Sequence, residues 1–179
     1  NNMKKRISLI LSLVLLVSLA ACGGAPAETT DGSGGTITVT DHAGAEVVLP
    51  EKIERIVVCD ILPLPSVLCV FFDSADKLVG ISGNSMSAAK NGLLGQLYPE
   101  VLEAETGFID GSNINLEEIL KLQPDVVFYS ASRPEQGEQL RKAGLDAVGI
   151  SVNKWDYNTI ETLNQWIALL SEIFPENAK

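Results

Sequence analysis

The stretch Asn115-Leu116-Glu117-Glu118-Ile119-Leu120-Lys121-Leu122-Gln123-Pro124-Asp125-Val126-Val127-Phe128-Tyr129-Ser130 decides the fold. Asn115 followed three positions later by Glu118 has the form of a capping box, and Leu116, Ile119 and Leu120 share one face of the helix it opens. Pro124-Asp125 stops that helix. Val126 to Ser130 then runs largely apolar without alternation, as a strand does when both of its faces are covered. Three further runs of this kind flank it: Arg55 to Cys59, Leu78 to Ser82 and Leu145 to Ile150. Helical segments fill the gaps. Pro65 to Phe72 starts on a proline, Asn91 to Val101 is a looser segment interrupted by glycines and Pro99, and Glu135 to Ala143 ends at Gly144, a left-handed stop. A second capping box, Asn158-Thr159-Ile160-Glu161, opens a helix with Ile160, Leu163, Ile167, Leu170 and Phe174 at three-and-four spacing, and Pro175 breaks it. This order predicts an α/β fold, a mostly parallel sheet flanked by helices with right-handed crossovers. Ahead of it, Ile37-Thr38-Val39-Thr40 and Glu46-Val47-Val48-Leu49 enclose Asp41-His42-Ala43-Gly44 as a β-hairpin, with His42 expected to be exposed in the turn.

The amino terminus reads as an address. Thirteen of the first 21 residues are apolar and none is acidic. Lys4-Lys5-Arg6 forms a basic region and Ile7 to Leu19 an apolar one, shorter than the roughly 20 residues that span a bilayer. A retained anchor helix is the alternative. Leu19-Ala20-Ala21-Cys22 resembles the bacterial lipobox, which makes residues 1–21 a lipoprotein signal peptide and Cys22 the lipid attachment site, with its sulfur carrying a diacylglycerol. Residues 22–36, rich in glycine and without large apolar side chains, read as a flexible tether. The folded body is thereby expected at the extracytoplasmic face of the membrane, on the cell surface or in a periplasm, held by its lipid. Residues 37–157 form the α/β lobe and 158–179 a closing helix.

The chain has 179 residues and a formal charge of −10, and beyond the leader 158 residues carry 10 basic against 23 acidic side chains. Such a body is a poor partner for nucleic acid. It is long enough for one domain with a real core and short for two. One histidine, His42, gives no basis for a histidine-rich metal centre or for histidine-based catalysis. Cys59 ends an apolar strand and Cys69 lies in an apolar helical run, so buried free thiols are expected; a disulfide between them is the alternative.

No nucleophile elbow, phosphate loop or dinucleotide fingerprint occurs, and no metal site or cofactor is implied. Polar and aromatic residues instead gather where the strands end. Asp60 follows the first, Ser82 and Asn84 the second, Tyr129 and Arg133 the third, and Trp155 and Tyr157 the fourth. Each alone suits an ordinary loop. Together they lie at the carboxyl edge where parallel sheets bind ligands, and Arg133 with Trp155 and Tyr157 suits an anionic, aromatic or chelated molecule.

At this point a family resemblance enters. Thr38-Val39-Thr40-Asp41 through Gly44, Leu49-Pro50, Glu54-Arg55-Ile56-Val57-Val58, Lys77-Leu78-Val79-Gly80-Ile81, Tyr98-Pro99-Glu100 and, above all, Asn115-Leu116-Glu117-Glu118-Ile119-Leu120 with Pro124-Asp125-Val126-Val127 resemble the amino-terminal lobe of extracytoplasmic solute-binding proteins that serve ATP-binding-cassette importers for ferric siderophores, haem and cobalamin. The likeness runs from about residue 37 to the end. It implies two lobes joined by one long helix, a metal chelate clamped between them, and an ABC permease as partner. The chain stops at 175–179, where that helix is expected to begin, so the resemblance implies that the carboxyl-terminal lobe is absent. It also assigns Glu117 to docking on an arginine of the permease, although a carboxylate in a first helical turn equally serves the helix dipole. The loop Cys59-Asp60-Ile61-Leu62-Pro63-Leu64-Pro65-Ser66 departs from the family pattern in being longer and richer in proline. Read this way the chain is no enzyme. A surface-anchored sensor or structural lipoprotein, or a surface α/β enzyme, stands as the alternative.

Overall fold

The computed structural model describes residues 34–111 and 113–178, so the signal peptide, Cys22 and nearly all of the tether lie outside the described residues. The hairpin pairs β1 (Thr36–Thr40) with β2 (Glu46–Pro50) antiparallel, Thr36 opposite Pro50, which draws the last residue assigned to the tether into a strand. Alternation buries Val39, Val47 and Leu49 and leaves Val48 in solvent.

Beyond the hairpin come β3 (Ile56–Val58), α1 (Leu64–Phe72), β4 (Leu78–Ile81), α2 (Gly83–Asn91), α3 (Leu94–Leu97), a 3-10 turn (Pro99–Glu103), the short pair β5 (Ile109–Asp110) and β6 (Asn113–Ile114), α4 (Leu116–Lys121), β7 (Val126–Ser130), α5 (Pro134–Lys142), β8 (Ala147–Ile150) and α6 (Thr159–Ile173). Strands β4, β3, β7 and β8 lie side by side in that order, all parallel. The α/β expectation therefore holds, hairpin included.

Alternation along each strand divides two cores. Ile56, Val58, Phe128, Val148 and Ile150 meet Leu64 and Leu68 of α1 and Trp166 and Leu170 of α6. On the opposite face Val57, Cys59, Val127, Tyr129 and Ala147 meet Ile119 of α4 and Leu140 of α5. Each fully buried aliphatic side chain of this size contributes about 1.5–3 kcal/mol. Cys59 and Cys69 are both buried free thiols in different cores, so the sheet stands between them. Burial pushes Cys59 up to about 12 and Cys69 up to about 11, which leaves both as unreactive thiols.

The deciding stretch also fixes strand register. Asp125 Oδ2 accepts the backbone N–H groups of Glu54 and Arg55 at 2.7 and 2.8 Å, and the Arg55 guanidinium donates to the Leu122 carbonyl at 2.7 Å, closing the end of α4. Asn115 caps α4 by accepting from Glu117 N and Glu118 N at 3.1 and 3.3 Å. The reciprocal half of the capping box is missing: Asn115 N donates to Phe108 O, and Glu118 pairs with Lys121 at 2.6 Å. Asn158 likewise caps α6 through Glu161 N at 3.1 Å, while the Glu161 carboxylate accepts from Gln165.

Three expectations change. Gly83–Asn91 is a helix, capped by Ser82 Oγ on Ser85 N at 3.2 Å; its Gly-Asn-Ser-Met-Ser start reads as loop because only Met86 and Ala89 supply apolar contact. The buried face of α6 is Thr162, Trp166, Leu169, Leu170 and Ile173, and Ile160 is 75% exposed. Two apolar faces compete on this helix, and Trp166 decides between them by donating Nε1–H to Ser151 O at 2.7 Å. His42 is half-buried rather than exposed. With Asp41 it sews the hairpin turn to β8, Asp41 Oδ2 accepting Gly149 N at 2.7 Å and His42 N donating to Gly149 O at 3.0 Å. On the other sheet edge, Glu105 exchanges backbone bonds with Val79 and Ile81 of β4, both 3.0 Å.

Candidate functional site

Chain order places the functional edge. From β3 the path leads to β4 on one side and later to β7 on the other, so a crevice opens between the carboxyl ends of β3 and β7. Asp60, just past β3, and Arg133, at the start of α5, meet across it, with Arg133 Nη2 to Asp60 Oδ2 3.5 Å. Asn84, in the first turn of α2, donates Nδ2–H to Asp60 Oδ1, also at 3.5 Å. Asp60 holds φ 38°, a left-handed conformation that glycine, asparagine and aspartate adopt more readily than other residues. Ser130 and Ser132 share a 2.8 Å hydroxyl contact beside Arg133.

At the same carboxyl edge of the sheet, among residues that follow β3 and β8, lies an apolar hollow of about 380 Å³, walled by Pro63, Val67, Val152, Tyr157, Leu163 and Trp166. It sits between the amino-terminal ends of α1 and α6. Tyr157 is 76% exposed and, like Asp156, left-handed, with φ 58° and 51°. An apolar basin with a few converging polar groups is what a small-molecule site requires. Among the described residues no three His, Cys, Asp or Glu side chains converge to hold a metal ion, and no helix is long and apolar enough to cross a membrane.

Of the residues read from the sequence, Asp60, Asn84 and Arg133 come together, and Tyr157 joins the hollow. Three take other places. Tyr129 is 1% exposed in the second core; its hydroxyl accepts from Arg141 at 3.3 Å, and its ring lies where a Cβ on Gly137 would clash. Strand alternation turns it away from the crevice. Ser82 is buried, its hydroxyl committed to the start of α2 through Ser85. Trp155 stacks edge-on against His42, ring centroids 4.9 Å apart and planes at 87°, with Lys154 Nζ 5.9 Å from its centre. Glu117 is exposed on α4, and its carboxylate enters no salt bridge among the described residues. The hollow itself went unread. Its only sequence signal was the proline-rich Leu62-Pro63-Leu64-Pro65 loop.

His42 supports this edge from behind. Its Nδ1 accepts Ser151 N–H at 3.2 Å, and its carbonyl accepts from Lys154 Nζ at 3.2 Å, which holds the loop that carries Val152 and Tyr157. Burial holds the imidazole below its ordinary 6.5, with Lys154 adding to the effect and a Gln165 backbone bond and Asp41 opposing it.

A four-stranded parallel lobe with this edge is the fold of substrate-binding proteins. The periplasmic solute-binding protein of Veillonella parvula superimposes with a TM-score of 0.72 at 31% identity, over 80% of this chain and 43% of that one. The substrate-binding lipoprotein YvrC of Bacillus subtilis is 26% identical over 161 residues, 83% of this chain and 46% of its own. The molybdate-binding protein MolA of Haemophilus influenzae is 29% identical over 153 residues, 76% of this chain and 42% of its own, and its structure matches with a TM-score of 0.63. No family model matches. Homologues and structural neighbours of this chain are thus ABC-transporter substrate-binding proteins, solute binders rather than enzymes, with a likeness covering about 80% of it. The chain spans about half the length of the curated relatives it matches.

Proposed function

We propose that this chain captures a metal chelate, an iron complex such as a ferric siderophore or haem, or a related one such as cobalamin, outside the cytoplasmic membrane and delivers it unchanged to the permease of an ABC importer. The observation that carries the reading is the apolar hollow of about 380 Å³ at the carboxyl edge of the sheet, the edge that also bears Asp60, Asn84 and Arg133. A chelate supplies its own donor atoms to the metal, so the protein needs apolar surface and a few hydrogen bonds. Cys22 carries the lipid in this reading, in keeping with the lipoprotein YvrC, and Glu117 meets the permease. A second lobe supplies the opposing wall of the cleft. The likeness to MolA favours a second reading, a compact oxyanion held by Arg133.

Trp166 in the wall of the hollow and Trp155 behind it provide the readout. Intrinsic fluorescence of the detergent-solubilised chain, titrated with a ferric trihydroxamate, haemin, cyanocobalamin and molybdate, is expected to respond to one of the three complexes. The surface of one lobe alone binds weakly, so saturation of these 179 residues is expected above micromolar concentration. A response to none of the three overturns the chelate reading.

A further inference from the structure

We infer that Asp60 sets the charge class of the ligand, excluding compact oxyanions from the crevice by occupying the guanidinium that would receive them. The inference rests on the solute-binding reading and names the substrate class of that same site. Two observations carry it. Asp60 and Arg133 face each other at 3.5 Å with side chains 24% and 32% exposed, so an anion reaching Arg133 must compete with a carboxylate and sit beside it. Asn84 stands at 3.5 Å from the other carboxylate oxygen, so donors flank Asp60 on two sides, and among the described residues no second cation is bound to it. Asp60 holds φ 38°, a left-handed conformation that glycine, asparagine and aspartate all accept, so its charge can be removed there without disturbing the backbone.

The neighbouring charges act in the same direction. Glu135 lies in the first turn of α5, two positions after Arg133, while Lys154 is turned to the His42 carbonyl. A compact dianion at Arg133 therefore meets the Asp60 carboxylate as well. A neutral or cationic complex bearing hydroxyl or amide groups finds an acceptor in Asp60, donors in Asn84 and Arg133, and an apolar floor.

The test uses sodium molybdate as a compact dianion and the full chain in detergent, read by isothermal calorimetry at fixed low ionic strength. Wild type is expected to bind molybdate at millimolar level or weaker. Asp60→Asn keeps the volume and tolerates the left-handed backbone; it frees Arg133 and is expected to tighten molybdate at least tenfold. Asp60→Gly, which accepts the same backbone, is expected to do the same, and the double substitution Asp60→Asn with Arg133→Gln to return to the wild-type value. Thermal melts confirm that each variant folds. Micromolar molybdate binding by wild type, or no gain in either Asp60 variant, overturns the inference. Because this comparison reads only the charges at the crevice, it stands apart from the chelate titration, whose failure appears as silence toward every complex while the molybdate series still gives its answer.

Discussion

Acidification should loosen the hairpin from the sheet through one side chain. His42 is the only histidine in the chain, and its Nδ1 accepts the Ser151 N–H at 3.2 Å, so the folded state needs the neutral ring. Burial lowers its pKa below the ordinary 6.5. The sign follows directly. Above about pH 6.5 both states are neutral and the linkage is silent; below it the unfolded chain takes a proton that the folded chain refuses, and stability falls until the folded ring also titrates. Within that window the slope is at most about 1.4 kcal/mol per pH unit. Removing the ring has its own cost: His42→Ala leaves the Ser151 N–H without its acceptor and deletes the edge contact with Trp155, together about 2–3 kcal/mol. Urea unfolding at pH 7.5 and 5.5, with the imidazole shift followed by NMR, provides the assay. Wild type should lose stability between the two pH values, and His42→Asn, which keeps an acceptor but cannot titrate, should lose distinctly less. Equal pH slopes in both proteins, or an imidazole titrating at or above 6.5, would refute the reasoning.

Other predictions bear on the register lock, the docking residue and the anchor. Asp125→Ala removes the acceptor of two strand-leading amides and should cost about 1–3 kcal/mol, seen as a lower urea midpoint with the m-value unchanged. Glu117→Arg should shift stability by no more than about 1 kcal/mol, the first-turn dipole contribution, while uptake by cells carrying the full transporter falls; equal uptake would return Glu117 to a purely helical role. Cys22→Ser should leave an unprocessed precursor that is larger by mass spectrometry, and normal maturation would exclude the lipobox.

Much of the architecture was legible because parallel strands buried on both faces leave unbroken apolar runs, and Ile56-Val57-Val58 and Val126 to Tyr129 are such runs. The helix Gly83–Asn91 was not, since a helix that packs through two small contacts leaves no apolar period to read. On α6 the period was legible but its phase was not: Ile160, Leu163 and Ile167 form as good a stripe as the buried one, and a tertiary bond from Trp166 to Ser151 chose between them. At the site, chain order alone brought Asp60 and Arg133 to the same edge. It said nothing of which way side chains face there, and Tyr129, one pleat from the rim, belongs to the core for that reason. The hollow forms between the amino-terminal ends of α1 and α6, a relation between residues roughly a hundred positions apart in the chain.

The two borders of the sheet carry a further consequence. A bare border strand offers a ready ladder to any copy of itself, and lipid-held chains would meet in two dimensions at high local density. Here neither outer strand presents a free row of amides along its length: Asp41 and His42 occupy β8 at Gly149 and Ser151, and Glu105 occupies β4 at Val79 and Ile81. At high local concentration, with both borders occupied, these lobes offer one another no open strand on which to extend the sheet.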